Sequence, residues 1–159
     1  MNEIVKLLER NNKTISTMES CTGGAVVSSI TNVEGAGQVL KFSAITYSNE
    51  FKIKMGVNKD VIDKYTVYSI ETAMEMSKNI SDFADSNYGV GVTGQINRKD
   101  GNNETDEDNK IYISIYDRDN DKFYNKKIEA IKGLTRRENK NVIVKRLEEM
   151  IKHMLNNDC

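Results

Sequence analysis

The order of helix-like and strand-like segments in this sequence predicts an α/β fold, a three-layer α/β/α sandwich with a mixed, mostly parallel sheet. The early strand-like segments are separated by helix-like ones, and crossovers through helices favour parallel neighbours. Two later strand-like segments are joined only by a turn, which forces them to pair antiparallel. A length of 159 residues fits one core, so we expect a single domain over residues 1–159.

The chain is predicted to open with a short helix, a strand, a tight turn and a second helix. Apolar residues within 1–11 recur with helical spacing, and an asparagine pair ends the pattern. Residues 13–18 are rich in β-branched side chains and lead into Gly23 and Gly24. Residues 25–31 then have an apolar face compatible with a helix.

A second strand and three helices are predicted in the middle of the chain. Residues 38–47 form the strand, a two-turn helix follows as far as Gly56, and residues 59–65 form another short helix. Ser69 occupies the N-cap position of a long helix that reaches about residue 85. We expect one apolar face on this helix, made of Ala73, Met76, Ile80, Phe83 and Ala84.

The last part of the chain is predicted to contain a strand, a hairpin and a closing helix. Residues 88–94 form a strand whose glycines allow another backbone or a ligand to approach closely. The hairpin covers residues 110–131, and we expect a mobile loop at 95–109 and a tail at 156–159. The closing helix begins at about residue 135 and carries an apolar stripe, made of Ile143, Leu147, Met150, Ile151 and Met154.

The composition is that of an ordinary globular protein. The formal net charge is −1, with 23 basic and 24 acidic residues, so we expect no binding to nucleic acid or to a membrane. No apolar run reaches the roughly 18 residues of a spanning helix, and residues 1–12 lack the apolar region of a signal peptide. We therefore expect a cytoplasmic protein in which the two cysteines, Cys21 and Cys159, are reduced rather than paired.

Residues 19–24, with the sequence ESCTGG, are the first candidate for a site of chemistry. Ser20 would lie between a strand and a helix, beside backbone amides of residues 21–24 that have no intrahelical partner. Those donors and the positive end of the helix dipole can stabilise an oxyanion or hold a phosphate. The alternative is that Ser20 or Thr22 only caps the helix.

A serine nucleophile needs a partner that accepts its proton. The single histidine, His153, falls in the closing helix and does not suit a Ser–His–Asp triad. Tyr47 and Lys52 follow the second strand and can project toward the sheet edge that carries Ser20. A desolvated lysine there can act as general base, with the tyrosine orienting the proton. The alternative is a core tyrosine and a solvated lysine, with Asn49 as an N-cap.

Two further segments supply candidate contacts to a substrate. Thr93 and Gly94, at the end of the glycine-containing strand, offer a hydroxyl and free amides, although a turn explains the same residues. Arg136 and Arg137, at the start of the closing helix, can bind an anion through their guanidinium groups or can simply be solvated.

The sequence resembles the CinA C-terminal domain family over nearly its whole length, about residues 3–155. The resemblance rests on ESCTGG at 19–24, ITYSNEFK at 45–52, MGV at 55–57 and VTG at 92–94, in this order and at these separations. The family includes stand-alone nicotinamide-nucleotide amidases. Its members often carry an additional N-terminal domain, and we expect the present chain to be a stand-alone form.

The resemblance implies an amidohydrolase that deamidates nicotinamide mononucleotide to nicotinic acid mononucleotide and ammonia, without a metal or another cofactor. It implies Ser20 as the nucleophile, with Tyr47 and Lys52 as its activating partners. By the geometric argument above, the amides of residues 21–23 would form the oxyanion hole. A homo-oligomer is also implied, and we expect a dimer. The residues expected to bind the substrate are Glu19, Cys21, Thr22, Gly23, Gly24, Asn49, Thr93, Gly94, Arg136 and Arg137.

Of the segments that depart from the family pattern, two bear on the expected site. After VTG the family usually continues with a loop rich in glycine and proline, where this sequence has GQINRKDGNNETDEDNK at 94–110. Before the last helix the family tends to have Gly-Asp-Arg, where this sequence has GLTRR at 133–137. A non-catalytic nucleotide-binding protein is therefore the alternative function. A third is a thiol enzyme that uses Cys21, with its pKa lowered at a helix N-terminus.

Overall fold

A single mixed sheet organises the computed structural model of the protein, which describes residues 1–97 and 108–157. Its strands are β1 (Ile15–Glu19), β2 (Leu40–Ile45), β3 (Tyr88–Gly94), β4 (Lys110–Asp117) and β5 (Lys122–Glu129). Their spatial order is β2-β1-β3-β4-β5. β1 pairs in parallel with both β2 and β3, whereas β3, β4 and β5 pair antiparallel. The predicted α/β fold with a mixed sheet is thus confirmed.

Helices cover both faces of this sheet. Within the described residues they are α1 (Asn2–Arg10), α2 (Ala25–Thr31), α3 (Asn49–Lys54), α4 (Lys59–Tyr65), α5 (Ile70–Ala84) and α6 (Arg136–Asn157). α1, α2 and α6 pack together on one face, and α5 packs against β1, β3 and β4 on the other. No helix in these ranges is both long and apolar enough to cross a bilayer.

The main hydrophobic core lies between the sheet and the layer of α1, α2 and α6. The closing helix contributes most of the predicted stripe, because Ile143, Leu147, Ile151 and Met154 are all buried. A smaller cluster of Met18, Val57, Met76 and Ile80 fills the space under α5. Alternate residues of β1 and β3 thus face different layers, as expected for a sheet covered on both sides.

The backbone of α5 lies unusually close to β3 because two glycines face it. A β-carbon added to Gly89 would lie 1.9 Å from the carbonyl oxygen of Ser77, and one added to Gly91 would lie 2.2 Å from that of Ala73. Real side chains cannot occupy those positions. The expectation that the glycines of this strand permit close approach is confirmed, and the approaching group is a helix backbone.

Some details differ from the sequence-based expectations. β2 ends at Ile45, so Tyr47 lies beyond the strand rather than at its end. The N-cap of α3 is Ser48, whose hydroxyl accepts the amide of Phe51, and Asn49 is the first helical residue. Phe83 is not on the buried face of α5, since 66 % of its surface is exposed and its ring packs only over Phe42 on the edge strand.

Parts of the expected loop and tail lie outside the described residues, namely 98–107, 158 and Cys159. At the start of the expected loop, Gln95 and Ile96 are buried. Residues 156 and 157 continue α6. The first two residues of the expected loop, which directly follow β3, are therefore packed into the protein rather than solvated.

Candidate active site

A cavity of about 290 Å³ lies at the carboxyl ends of the parallel strands, where α/β proteins commonly bind ligands. Seven of the residues expected at the site line it: Ser20, Cys21, Tyr47, Asn49, Lys52, Gly94 and Arg136. The segments that bring them together are the turns after β1, β2 and β3 and the start of α6. The order of the strands, which places β1 between β2 and β3, therefore assembles the cavity.

Ser20 and Lys52 form a direct pair in this cavity. The Lys52 ammonium donates to the Ser20 hydroxyl at 3.0 Å and to the carbonyl oxygen of Thr46 at 2.8 Å. The Ser20 amide donates to Val92, which fixes the serine against β3. Lys52 is only 2 % exposed although it belongs to a short helix, because its side chain points from α3 into the cavity wall. The solvated-lysine alternative is therefore wrong.

Burial changes the protonation of this lysine. Desolvation lowers the pKa of Lys52 from the usual 10.5 to about 8, and the neighbouring Cys21 thiol only partly opposes that shift. Lys52 has no ion pair with a carboxylate in the described part of the chain. A substantial fraction of this amine is therefore neutral near physiological pH, which is the form that accepts a proton.

Glu19 does not face the cavity. Its carboxylate is fully buried and accepts hydrogen bonds from the Thr22 hydroxyl at 2.6 Å and from the amides of Gly24, Val26 and Val27 at 3.1, 3.0 and 2.8 Å. These are the turn before α2 and the first amides of that helix. The side chains of Glu19 and Thr22, both expected to bind substrate, thus satisfy the N-terminus of α2 instead.

The four backbone amides of the turn after β1 differ in whether another residue accepts them. Gly23 donates to the carbonyl oxygen of Ser20 at 3.0 Å, and Gly24 donates to Glu19. Both glycines have positive φ, 58° and 95°, which the tight turn requires. The amides of Cys21 and Thr22 make no hydrogen bond to another described residue. Of these two residues only Cys21 lines the cavity, because Thr22 is fully buried, so the oxyanion donors expected over residues 21–23 are reduced to the Cys21 amide.

Cys21 is not poised as a nucleophile. Its side chain is buried, and burial raises the pKa of the thiol to about 12. The lowered pKa expected for a thiol at a helix N-terminus is wrong here because desolvation outweighs the helix dipole. The thiol remains protonated at neutral pH, which argues against a cysteine mechanism.

Two expected polar side chains make no hydrogen bond to the pair. Tyr47 is 66 % exposed at the cavity mouth, and its hydroxyl has no hydrogen bond to Ser20 or Lys52. The Thr93 side chain is fully buried and donates to the carbonyl oxygen of Val67 at 2.8 Å. Thr93 therefore holds a loop in place, whereas the neighbouring Gly94 reaches the cavity.

The two arginines of α6 have different surroundings. Arg136 lines the cavity and donates to the carbonyl oxygen of Ile96, which anchors its guanidinium near the loop after β3. Arg137 is exposed and does not line the cavity. Only Arg136 is placed to meet an anionic group of a ligand in the cavity.

Sequence reasoning missed four lining residues, namely Val67, Tyr68, Gln95 and Ile96. Gln95 and Ile96 directly follow β3, and the rule that ligands meet the carboxyl ends of parallel strands would have included them. Val67 and Tyr68 precede the Ser69 cap of α5, and they reach the cavity only because that helix starts beside it. No local sequence signal indicates this placement.

The fold and the pair together define an α/β protein with a serine–lysine site at the carboxyl edge of its parallel strands. The sequence model of the CinA C-terminal domain matches residues 1–155, and the chain belongs to this family. Among curated relatives, a CinA-like protein of Kosmotoga olearia is 40 % identical over 114 residues, which are 71 % of this chain and 27 % of that protein. The chain spans about a quarter of the length of such relatives.

Solved structures agree with the fold. A CinA superfamily protein from Klebsiella pneumoniae has a TM-score of 0.89 at 16 % identity, covering 98 % of this chain and 95 % of that one. The competence/damage-inducible protein CihA from Agrobacterium tumefaciens has a TM-score of 0.84 at 24 % identity, covering 98 % and 94 %. At these identities the likeness concerns the fold.

Proposed function

We propose that this protein is a serine amidohydrolase that deamidates nicotinamide mononucleotide to nicotinic acid mononucleotide and ammonia. The observation that carries the proposal is the 3.0 Å contact between the Lys52 amine and the Ser20 hydroxyl, both of which are buried in the cavity wall. The nucleotide is the substrate implied by the resemblance to nicotinamide-nucleotide amidases. The generic activity, attack of an activated serine on an amide, rests on the pair itself.

Lys52 is the general base in this reaction. With a pKa of about 8, about a tenth of the Lys52 amines are neutral at pH 7. The neutral amine accepts the Ser20 proton while the serine oxygen forms a bond to the carboxamide carbon. The carbonyl oxygen of Thr46, which accepts the second Lys52 hydrogen bond, keeps the amine aimed at the serine.

The Cys21 amide stabilises the oxyanion of the tetrahedral intermediate. It is a donor of the turn that no other described residue uses, its residue lines the cavity, and the positive end of α2 lies beside it. The Lys52 ammonium then donates its proton to the departing nitrogen, so that ammonia leaves and an ester to Ser20 remains. Water, deprotonated by the same amine, hydrolyses the ester and restores the free serine.

The cavity suits a nucleotide with one aromatic amide. Its volume of about 290 Å³ lies at the lower end of the range for small-molecule sites. Asn49 and Gln95 offer amide groups within it, and Arg136 at its edge supplies a positive charge for the phosphate. The nicotinamide ring would then lie toward Ser20 and the phosphate toward α6.

Release of ammonia from nicotinamide mononucleotide tests the proposal. Wild-type protein should turn over the nucleotide, whereas Ser20→Ala and Lys52→Met should each lose at least about 10³-fold in kcat. Lys54→Met serves as the matched control, since this lysine of the same helix is exposed and does not line the cavity. Equal rates for wild type and Ser20→Ala would refute the assignment, and tight binding without turnover would favour a nucleotide-binding protein.

A further inference from the structure

We propose that Glu19 is a positioning residue that holds the Ser20 hydroxyl against Lys52 and reserves the Cys21 amide for the reacting oxygen. The inference rests on the proposed role of Ser20 at the same site. Glu19, the residue before the proposed nucleophile, would perform this role without contacting the substrate. Its evidence is the hydrogen bonding around one buried carboxylate.

The backbone of Glu19 is fixed on both sides. It pairs with Ile45 of β2 and Val92 of β3, and its carbonyl oxygen accepts the amide of Thr46 at 2.8 Å. Its side chain reaches forward to the amides of Val26 and Val27 in the first turn of α2. Ser20 is thus the first residue of a loop whose two ends are tied together by the preceding side chain.

The Glu19 carboxylate occupies the N-terminus of α2, a position where an anionic ligand could otherwise bind. Free amides at a helix N-terminus attract negative groups, and in many proteins a ligand phosphate takes that position. In this protein Glu19 accepts the amides of Gly24, Val26 and Val27, so a substrate phosphate finds no donors there. The phosphate is directed instead toward Arg136, and the donor left at the cavity in this turn is the Cys21 amide.

Glu19→Gln tests the inference, since it keeps the side-chain shape but removes the charge and one acceptor. An NH₂ group would then face amide N–H groups, so the turn must shift. A displacement of about 1 Å at a reacting group costs about 10²-fold in rate, so we expect kcat to fall about 10²-fold with KM within about threefold of wild type. Glu3→Gln, which changes an acidic residue in the first turn of α1, is the matched control and should leave kcat unchanged.

A fluorophosphonate reagent gives a second readout that does not depend on the natural substrate. The Ser20 oxygen forms a bond to phosphorus, fluoride leaves, and the serine proton passes to Lys52, so intact mass reports the reactivity of the serine. Glu19→Gln should be labelled about 10²-fold more slowly than wild type. If wild type is labelled but releases no ammonia from the nucleotide, the amidase proposal fails while this inference is still tested.

Thr22 variants keep the inference testable if Glu19→Gln does not fold. Thr22→Val removes one donor to Glu19 at nearly constant volume, and Thr22→Ser retains it. We expect about tenfold slower labelling for the valine variant and a rate near wild type for the serine variant. The inference would be overturned if folded Glu19→Gln or Thr22→Val were labelled at the wild-type rate but had lower thermal stability. Glu19 would then only cap α2. An unlabelled wild-type protein would overturn the inference as well.

Discussion

The burial of Lys52 should be measurable as a dependence of stability on pH. Its pKa in the folded protein, about 8, lies below the usual 10.5, so the unfolded chain binds more protons between these two values. The free energy of unfolding therefore rises with pH across this window, and the penalty for burying the ammonium is complete below about pH 8. The wild-type protein carries this penalty at neutral pH, whereas Lys52→Met does not.

The magnitude follows from the size of the pKa shift. At 1.36 kcal/mol per unit, a shift of about 2.5 units corresponds to about 3 kcal/mol, and we take about 2 kcal/mol between pH 7 and pH 10 because the cavity admits water. Lys52→Met also loses the hydrogen bonds to Ser20 and Thr46, but that loss applies to both protonation states to first order.

Urea unfolding of both proteins at pH 7 and pH 10, followed by circular dichroism, measures the effect. Ionisation of other groups cancels in the difference between wild type and Lys52→Met. We expect wild type to gain about 2 kcal/mol relative to the variant on going from pH 7 to pH 10. A difference that changes by less than about 0.5 kcal/mol would refute the lowered pKa and, with it, the argument that Lys52 is available as a base.

Four further outcomes are expected. The rate of ammonia release, as kcat/KM, should rise with pH and level off above about pH 8, because the neutral form of Lys52 is the base; a profile already flat from pH 6 would contradict this. Arg136→Gln should raise KM at least about tenfold for the nucleotide but not for its dephosphorylated nucleoside, as steady-state kinetics will show. Gly91→Ala should lower the free energy of unfolding by about 3 kcal/mol or more in urea titrations, whereas Gly37→Ala, with open space at its β-carbon position, should change it little. Cys21→Ser should retain turnover, since the buried thiol stays protonated; loss of activity in a folded variant would revive a thiol mechanism.

Much of the fold could be predicted from the sequence because its signals are local. The Ser69 cap of α5 and the hairpin of β4 and β5 depend on neighbouring residues, and both were predicted. Local signals were not sufficient to predict the Ser20–Lys52 pair, since a lysine in a two-turn helix is usually solvated. Its place after the second strand made Lys52 a candidate, the resemblance to the family favoured it over a solvated lysine, and the strand order β2-β1-β3 explains how it reaches the serine.

The surroundings of several other side chains could not be predicted, because they depend on tertiary contacts that no short segment of sequence indicates. Glu19 was expected to bind substrate, but its acceptors are filled by amides five to eight residues further along the chain, once the turn folds back. β2 ends two residues earlier than the apolar pattern suggested, and Tyr47, which lies beyond it, is exposed and makes no hydrogen bond to the pair. Phe83 continued the helical pattern of α5 beyond the part of that helix that the sheet covers.

The close contact of α5 with β3 has a consequence for how the cavity can diversify. Val67 and Tyr68, which form one wall, directly precede α5, and Val67 is tied to Thr93 of β3. With the helix seated on Gly89 and Gly91, that wall has no room to retreat. Changes toward bulkier substrates should therefore occur at Tyr47, which lines the cavity and is largely exposed, because replacements there leave the packed layers intact.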